Sequence, residues 1–384
     1  MSNVRDTVLA VQRDLNACLL ERDTSVDNAL LALLTGEHML LIGNPGTGKS
    51  MLIRALCARI QGAMYFEKAM SPVSVPEDLY GPIDLVRLSE HGEWVRRDTG
   101  SMTRAHIVFL DEIARSNEAI RDTLLVAMNE RLAQVVGFDP APLPLLSLFS
   151  ASNNTFPEEA AAFNDRFLLR EVVAPLADEA NLAMLLTGQL PDWRDVHASI
   201  TLDDVRQAQA EVAHVKGTPE IVHAALTLRH ALSAEGIMVS DRRWGWSGKL
   251  LKARAWLDGD AELYPEHCLA LAHAWWVDPA HRKVVEREVY KIACPLALRA
   301  VEVEDMAEEV YSTVPLTDDY AFNAKAEGAL QCLTDQFHLL QSEIQSSQAR
   351  NTTRAEQALT TIAGWHKSVS EKLFRNVSRL TISA

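Results

Sequence analysis

The chain has 384 residues, 48% of them hydrophobic and 23% charged, which is the composition of a folded globular protein with two or three domains. It has no stretch of about 18 uncharged apolar residues, and its N-terminal region lacks the apolar core of a signal peptide, so we expect neither a membrane span nor export. The 52 acidic residues outnumber the 37 basic ones, and the net charge of −15 disfavours a nucleic-acid partner because phosphate backbones are repelled.

The cysteines indicate the redox environment. There are five, an odd number, and no two of them form a C-x-x-C pair, so neither a disulfide framework nor a zinc site is expected. We interpret them as reduced, buried thiols of a cytoplasmic protein. They are Cys18, Cys57, Cys268, Cys294 and Cys332.

The first 35 residues are predicted to form two helices. Apolar residues recur every three or four positions in the first, and the run VDNALLALL predicts a second helix whose N-terminal cap lies near Ser25. The apolar positions of the first helix are Val4, Val8, Val11, Leu15 and Cys18.

Residues 43–50 read GNPGTGKS, a G-x-x-x-x-G-K-S pattern that is informative only between a strand and a helix. The apolar run HMLLI precedes it, and the helical pattern MLIRALCARI follows it. In such a loop, backbone N–H groups and the positive end of the helix surround phosphate oxygens, while glycines permit the required φ angles. We therefore predict a nucleotide site, for ATP because no guanine-reading N-K-x-D motif occurs, and not a chance glycine-rich turn. Its residues are Gly43, Asn44, Pro45, Gly46, Thr47, Gly48, Lys49, Ser50 and Met51.

Polar residues after two further apolar runs are expected to complete this site. Lys49 would reach the β and γ phosphates, while Ser50, with Asp111 acting through water, would hold Mg²⁺. Asp111 and Glu112 end the strand-like run AHIVFLDEI, and Glu112 would act as the general base that polarises the attacking water. The alternative is that Glu112 only complements the N-terminus of the following helix. Asn153, at the end of LLSLFSASNN, would orient the water or sense the γ-phosphate, although Asn is also common in strand-to-helix turns.

The segment between these parts predicts a β-hairpin. In residues 83–100, IDLVRLSEHGEWVRRDTG, the runs 85–88 and 94–97 are strand candidates, and SEHGE is a polar turn containing a glycine.

The second half of the chain has a helical pattern. We predict a nucleotide domain over 1–177, a helical lid and extension over 178–315, and a helical hairpin over 316–384. In the hairpin, apolar residues recur at threes and fours in two stretches separated by the polar run QSSQARNTTR. The hairpin either packs on the lid or is a docking arm for a partner. Five tryptophans are interpreted as lid core: Trp244, Trp246, Trp256, Trp275 and Trp276.

Taken together, these motifs resemble the MoxR branch of AAA+ ATPases, and most closely its RavA group. The resemblance implies an α/β fold: an αβα P-loop domain with an insert at helix 2, followed by a helical lid. It also implies a hexameric ring that hydrolyses ATP at its subunit interfaces. The matching segments are GNPGTGKS, PEDLYGPIDL, AHIVFLDEI, LLVAMNERL, FSASNN, FNDRFLLR and VSDRRW.

The resemblance also implies roles for single residues. Asn153 matches the first sensor, and Arg166 in FNDRF matches the arginine finger that enters a neighbour's site, unless it only pairs with Asp165 or Glu171 within the chain. Arg242 in SDRRW matches the second sensor presented by the lid to the nucleotide, with the adjacent Arg243 as the alternative.

The implied function is that of a chaperone-like motor which uses ATP and Mg²⁺ to remodel or mature a protein client. The family resemblance further implies a partner with a von Willebrand A domain, and an insert hairpin that points to the pore. Either His91 or Trp94 of this hairpin would contact the client, or the hairpin is solvated and packs on its neighbour. The alternatives are a nucleic-acid-associated motor or loader, and a ring that binds nucleotide without turnover. The complete set Lys49, Asp111, Glu112 and Arg166 disfavours the second alternative.

Overall fold

The apolar runs recognised in the sequence form a central parallel sheet. The computed structural model describes residues 3–134, 138–153, 156–314, 320–347 and 352–382. In the described chain the strands are β1 (His38–Ile42), β2 (Ile60–Gln61), β3 (Tyr65–Ala69), β4 (Ile107–Asp111), β5 (Leu132–Ala133), β6 (Ala141–Pro142), β7 (Ser147–Ser152), β8 (Phe167–Val172) and β9 (Ile200–Thr201).

Five of these strands make the main sheet in the order β3-β4-β7-β1-β8, with every neighbouring pair parallel. The inner strands are buried along nearly their whole length because helices cover both faces, whereas the edge strand β3 is only partly buried. The short strands form two separate pairs, β2 with β9 and β5 with β6.

Helices account for most of the remaining chain. They are α1 (Val4–Cys18), α2 (Asp23–Thr35), α3 (Lys49–Ala58), α4 (Glu77–Tyr80), α5 (Leu85–His91), α6 (Glu118–Glu130), α7 (Ala161–Asn164), α8 (Glu179–Thr187), α9 (Leu202–Ala213), α10 (Pro219–Ala234), α11 (Asp241–Asp258), α12 (Arg282–Ala293), α13 (Pro295–Ser312), α14 (Tyr320–Ser346) and α15 (Thr353–Ile382). Short 3-10 segments occur at Met102–Arg104, Ile113–Arg115, Glu158–Ala160, Pro265–His273 and Pro279–His281.

One apolar core runs without interruption from the sheet into the helical region. It joins α1, α2 and α3 on one face of the sheet to α9–α12, so the lid is packed onto the nucleotide domain. The predicted lid-core tryptophans belong to it: Trp256, Trp275 and Trp276 are buried, and Trp244 and Trp246 pack against them. A second core, with α6 and the chain around α4, covers the opposite face.

The last three helices form a bundle of their own. The predicted hairpin of α14 and α15 is present, and both helices also pack against α13 around a separate apolar core. Most of the apolar residues that recur at threes and fours in these two helices are buried or half-buried. The side chains of Val377 and Leu380 lie outside the described part. Because α13 belongs to this bundle, we propose that the third structural unit begins near residue 295 and not at 316.

The N-terminal helices follow the predicted spacing, with one correction. All five apolar positions of α1 are buried, as expected. The expected cap at Ser25 is wrong, because α2 starts at Asp23 and Ser25 lies buried inside the helix. Among the described residues, no helix has the length and apolarity needed to cross a bilayer.

The expected hairpin in residues 83–100 is also wrong. The run 85–88 is part of α5, whose Asp84 side chain accepts hydrogen bonds from the N–H groups of Val86 and Arg87, and whose end is Gly92 at φ +66°. Only a single antiparallel bridge, between Ile83 and Arg96, resembles a hairpin. An aspartate cap and a left-handed glycine eight residues later outweigh the alternating pattern, so the insert is a short helix with a returning segment.

A partly buried ion pair fastens the helical region to the sheet. The Nδ1 atom of His273 lies 3.0 Å from the Glu171 Oε2 atom on β8, and the Asn28 side chain of α2 donates to the same oxygen at 2.9 Å. Burial opposes the charged imidazole, but its hydrogen bond to Glu171 and the negative charge of that carboxylate outweigh burial, so the pKa of His273 is raised.

The contribution of His273 to stability should therefore depend on pH. Its folded-state pKa lies above the unfolded value of about 6.5, so the contribution is complete below that value and is lost as the pH rises through the folded pKa. His273→Gln should lower the free energy of unfolding by about 1.5–3 kcal/mol at about pH 6, and by less at about pH 9. Urea unfolding at both pH values measures this, with the exposed His281→Gln as control, and an equal loss at both would contradict it.

Candidate nucleotide site

The GNPGTGKS loop joins β1 to α3 in a conformation that only its glycines permit. Gly46 and Gly48 both have φ +82°, and Gly48 caps the N-terminus of α3. A Cβ atom at Gly43 would lie 2.4 Å from the Val173 carbonyl oxygen. The loop is thus an open turn above the carboxyl end of β1, with its N–H groups and the start of α3 available to an anion.

Lys49 is buried beneath this loop. Its ammonium group donates to the carbonyl oxygens of Gly43 and Asn44, both at 2.7 Å. Burial lowers the pKa of Lys49, and the negative charges of Asp111 and Glu112 oppose that shift. Ser50 follows in the first turn of α3.

The acidic pair lies beside the loop, at the carboxyl end of β4. Asp111 Oδ1 accepts a hydrogen bond from the Glu112 N–H at 2.9 Å. Glu112 has φ +53°, in the left-handed region that residues other than glycine seldom adopt. Such a conformation persists where the surrounding structure holds it, often at functional sites.

Asn153 connects the lysine to the glutamate. Its side-chain N–H donates to Glu112 Oε1 at 2.6 Å, and its carbonyl oxygen lies 3.4 Å from Lys49 Nζ. The structure therefore brings Lys49, Asp111, Glu112 and Asn153 together at one edge of the sheet, as the sequence predicts for parallel strands.

These residues include oxygen donors suitable for a magnesium ion. Ser50 would supply one directly and Asp111 one through water, which is sufficient because Mg²⁺ usually keeps several waters and completes its shell with phosphate oxygens. No cluster of three or more Asp, Glu, His or Cys side chains that could hold a metal occurs in the described part of the chain. The donor set thus fits an ion that binds together with a nucleotide.

Arg22 supports the loop from outside and was missed by the sequence reasoning. Its guanidinium donates to the carbonyl oxygen of Thr47 at 3.2 and 3.3 Å and to that of Ala174 at 2.8 Å. It thereby ties the α1–α2 connection to the phosphate loop and to the chain that leaves β8. A lone arginine between two helices carries no motif that would have revealed this.

Arg166 lies at the amino ends of the strands, on the side of the sheet opposite to the phosphate loop. The residue after it, Phe167, pairs with His38 at the amino end of β1, whereas the phosphate loop follows the carboxyl end. The five residue steps from His38 to Gly43 span about 16 Å at the usual rise per strand residue. This distance exceeds the reach of an arginine side chain, so Arg166 is not brought to the loop of its own chain.

Local contacts hold Arg166 at that edge. Its Nε donates to Asn129 Oδ1 at 3.2 Å, and its Nη1 donates to the Ala162 carbonyl at 2.9 Å. Among the described residues, no carboxylate lies within ion-pair distance of it, so the expected alternative pairing with Asp165 or Glu171 is absent there. Asn129 lies in LLVAMNERL, but its contact with Arg166 was not anticipated.

Arg242 and Arg243 lie at the same end of the strands as Arg166, but they differ in exposure. The Arg243 side chain is 1% exposed, and it donates to several carbonyl oxygens, including that of Leu168 at 3.0 Å. The Arg242 side chain is 42% exposed and lies 3.2 Å from the Asp165 carboxylate. Arg243 is therefore engaged within the fold, while Arg242 faces outward.

Arg166 and Arg242 are close enough to influence each other. Burial lowers the pKa of Arg166, and the positive charge of Arg242 lowers it further. Two cations on one surface favour an anion from outside the chain. The structure thus divides the predicted residues into two groups. The phosphate-binding edge, at the carboxyl ends of the strands, holds Lys49, Asp111, Glu112 and Asn153. The basic edge, at the amino ends, holds Arg166 and Arg242.

Two family models match parts of this chain. Residues 6–210 match the family described as the MoxR domain in the MoxR-vWA-beta-propeller ternary systems, and residues 220–289 match an AAA lid domain. An uncharacterized protein of Methanocaldococcus jannaschii is 34% identical over 306 residues, which cover 79% of this chain and 80% of that protein.

Two relatives whose names indicate their family are less similar in sequence. The protein MoxR of Methylorubrum extorquens is 24% identical over 82% of this chain and 96% of its own length. The chaperone MoxR1 of Mycobacterium tuberculosis is 28% identical over 45% of this chain and 46% of its own.

A solved structure shares the fold. A candidate ATPase from Cytophaga hutchinsonii superposes with a TM-score of 0.61 at 20% identity, over 75% of this chain and 95% of that one. The narrower resemblance to the RavA group stays a prediction. The match to residues 6–210, the lid match that follows it and the sheet order around the phosphate loop identify this chain as a member of the MoxR family of AAA+ ATPases.

Proposed function

We propose that this chain hydrolyses ATP between adjacent copies of itself in a hexameric ring, and uses the energy to remodel or mature a protein client. The observation that supports this most directly is the parallel register of β1 and β8. It separates the phosphate loop from Arg166 by the length of a strand, so the Arg166 of one chain cannot face the Lys49 of that same chain.

Within one copy, the phosphate-binding edge would bind the nucleotide and supply the general base. Lys49 and the loop N–H groups would hold the β and γ phosphates, and Asn153 would orient Glu112, which accepts the proton of the attacking water. When bound, Mg²⁺ would neutralise developing charge on the phosphates, with Ser50 and Asp111 holding it.

The adjacent copy would supply the cations. Arg166 would act as the arginine finger and stabilise charge on the transferred phosphoryl group. Arg242, next to it, would act from the same neighbouring copy, and not as a sensor of its own chain's nucleotide. Its outward position and its proximity to Arg166 support this role.

The client and partner are proposed from the family. Its description names MoxR–vWA–β-propeller systems, and one relative is named a chaperone, which supports a partner with a von Willebrand A domain. The insert exposes the apolar side chains of Leu85, Val86 and Trp94, which we propose contact the client.

Glu112→Gln tests the general base. The variant should still bind nucleotide, but its turnover should fall at least about 100-fold because the proton acceptor is lost. Phosphate release and binding of a fluorescent ATP analogue measure the two properties. Glu118→Gln, in the first turn of α6, is the control for a mere helix N-terminal charge. Turnover like that of the unmodified chain would remove Glu112 from this role.

Mixing two inactive variants tests the shared site. Arg166→Ala chains keep Lys49, and Lys49→Ala chains keep Arg166, so a mixed assembly contains some complete sites. We expect each variant alone to be inactive and the mixture to recover part of the activity. If no ratio of the two restores ATP hydrolysis, the arginine does not act across an interface.

Arg242 and Arg243 should differ in what their loss affects. Arg243→Gln removes a buried cation from Asp165 and should lower the free energy of unfolding by about 3–5 kcal/mol. Arg242→Gln should change it by less than about 1 kcal/mol, since its pair is half-exposed, yet should reduce turnover at least about tenfold. Urea unfolding and steady-state ATPase assays of both variants measure this, and the opposite pattern would make Arg243 the functional residue.

A further inference from the structure

Helix α8 is apolar and yet has no buried residue. Its leucines are spaced at i, i+3 and i+4, so they form one stripe along the helix. Leu182, Leu185 and Leu186 are 43%, 52% and 89% exposed. Contiguous apolar surface of this kind marks an interaction site, because its exposure to water is unfavourable.

The helix is anchored at its first turn. Asp178 caps it by accepting from the N–H groups of Ala180 and Asn181. The Glu21 carboxylate accepts from the N–H groups of Ala177 and Asp178, at 2.8 and 3.1 Å. The exposed stripe therefore has a defined position in the fold.

That position adjoins the phosphate loop. Glu21 precedes Arg22, whose guanidinium donates to Thr47 of the loop and to Ala174, four residues before the Asp178 cap. Both the anchor and the start of α8 thus belong to the surroundings of the nucleotide site.

We propose that the leucine stripe of α8 is the surface on which a second copy of this chain docks, through the lid face that carries Arg242. This inference rests on the proposed function, in which the neighbour brings Arg166 and Arg242 to this phosphate loop. A copy that delivers those arginines must cover the surface next to the loop, and α8 begins at that surface.

The basic edge offers an apolar counterpart. Met238 is 76% exposed and lies two residues before Ser240, whose hydroxyl donates to Asp165. Leu226, on α10, is also exposed, and Arg229, one turn further on, pairs with Asp241. A head-to-tail interface needs two different complementary patches, and here each half of the site has an apolar patch beside it.

The charges at the two ends are also opposite. Asp178 and Glu179 stand exposed at the start of α8, whereas Arg166 and Arg242 lie at the basic edge. Docking of these two surfaces on each other would pair acid with base, whereas two copies of either surface would repel.

The double variant Leu185→Glu/Leu186→Glu of the full chain tests the proposal. Its melting curve should match that of the unmodified chain, because both leucines are exposed. In AMP-PNP and Mg²⁺, sedimentation velocity should show association weakened at least about tenfold, with a similar loss of ATPase activity. Leu339→Glu, at an exposed leucine on α14, is the matched control and should assemble and hydrolyse normally.

A mixture identifies the direction of docking. Combined with Arg166→Ala chains, the α8 variant should regain activity, because one interface then unites an intact α8 and phosphate loop with an intact Arg166. If the α8 variant assembles like the unmodified chain, or if it unfolds because the leucines pack within the chain, the inference is overturned. If the unmodified chain itself neither assembles nor hydrolyses ATP, the proposed function fails as well, so the two failures are distinguishable.

Discussion

The parallel pairing of β1 with β8 determines how this molecule can work. Parallel strands present their carboxyl ends at one edge and their amino ends at the other, so the loop after β1 and the arginine before β8 face away from each other. No rotamer of Arg166 can compensate for a strand's length. In the function that we propose, catalysis by these residues requires a second copy, and the surface of that neighbouring copy becomes part of the active site.

The continuous core between sheet and lid adds a second constraint. Because α2 and β8 share one apolar core with α9–α12, and Glu171 on β8 pairs with His273, the lid is held firmly against the sheet. Arg242 and the buried Arg243 both pair with Asp165, the residue before Arg166, so these arginines lie together on one basic edge.

Much of this follows from the sequence. The phosphate loop, the acidic pair after β4 and Asn153 could be predicted because loop chemistry and strand order are local properties, and parallel strands bring their ends together. The same holds for α1 and the C-terminal hairpin, because the apolar residues at the predicted spacing are buried where these helices pack. In residues 83–100 the alternating apolar pattern predicted a hairpin, which is wrong. The helix cap at Asp84 and the left-handed Gly92 favour a short helix there.

Sequence by itself determined the nucleotide chemistry, because each residue type there is required by a phosphate or a water molecule. Only the tertiary structure decided which of the two lid arginines is exposed. Arg242 and Arg243 are adjacent in the chain, and a helix turns consecutive side chains by about 100°, so one enters the core and the other faces outward. The contacts of Arg22 and the exposure of α8 likewise depend on segments far apart in sequence, which no local pattern records.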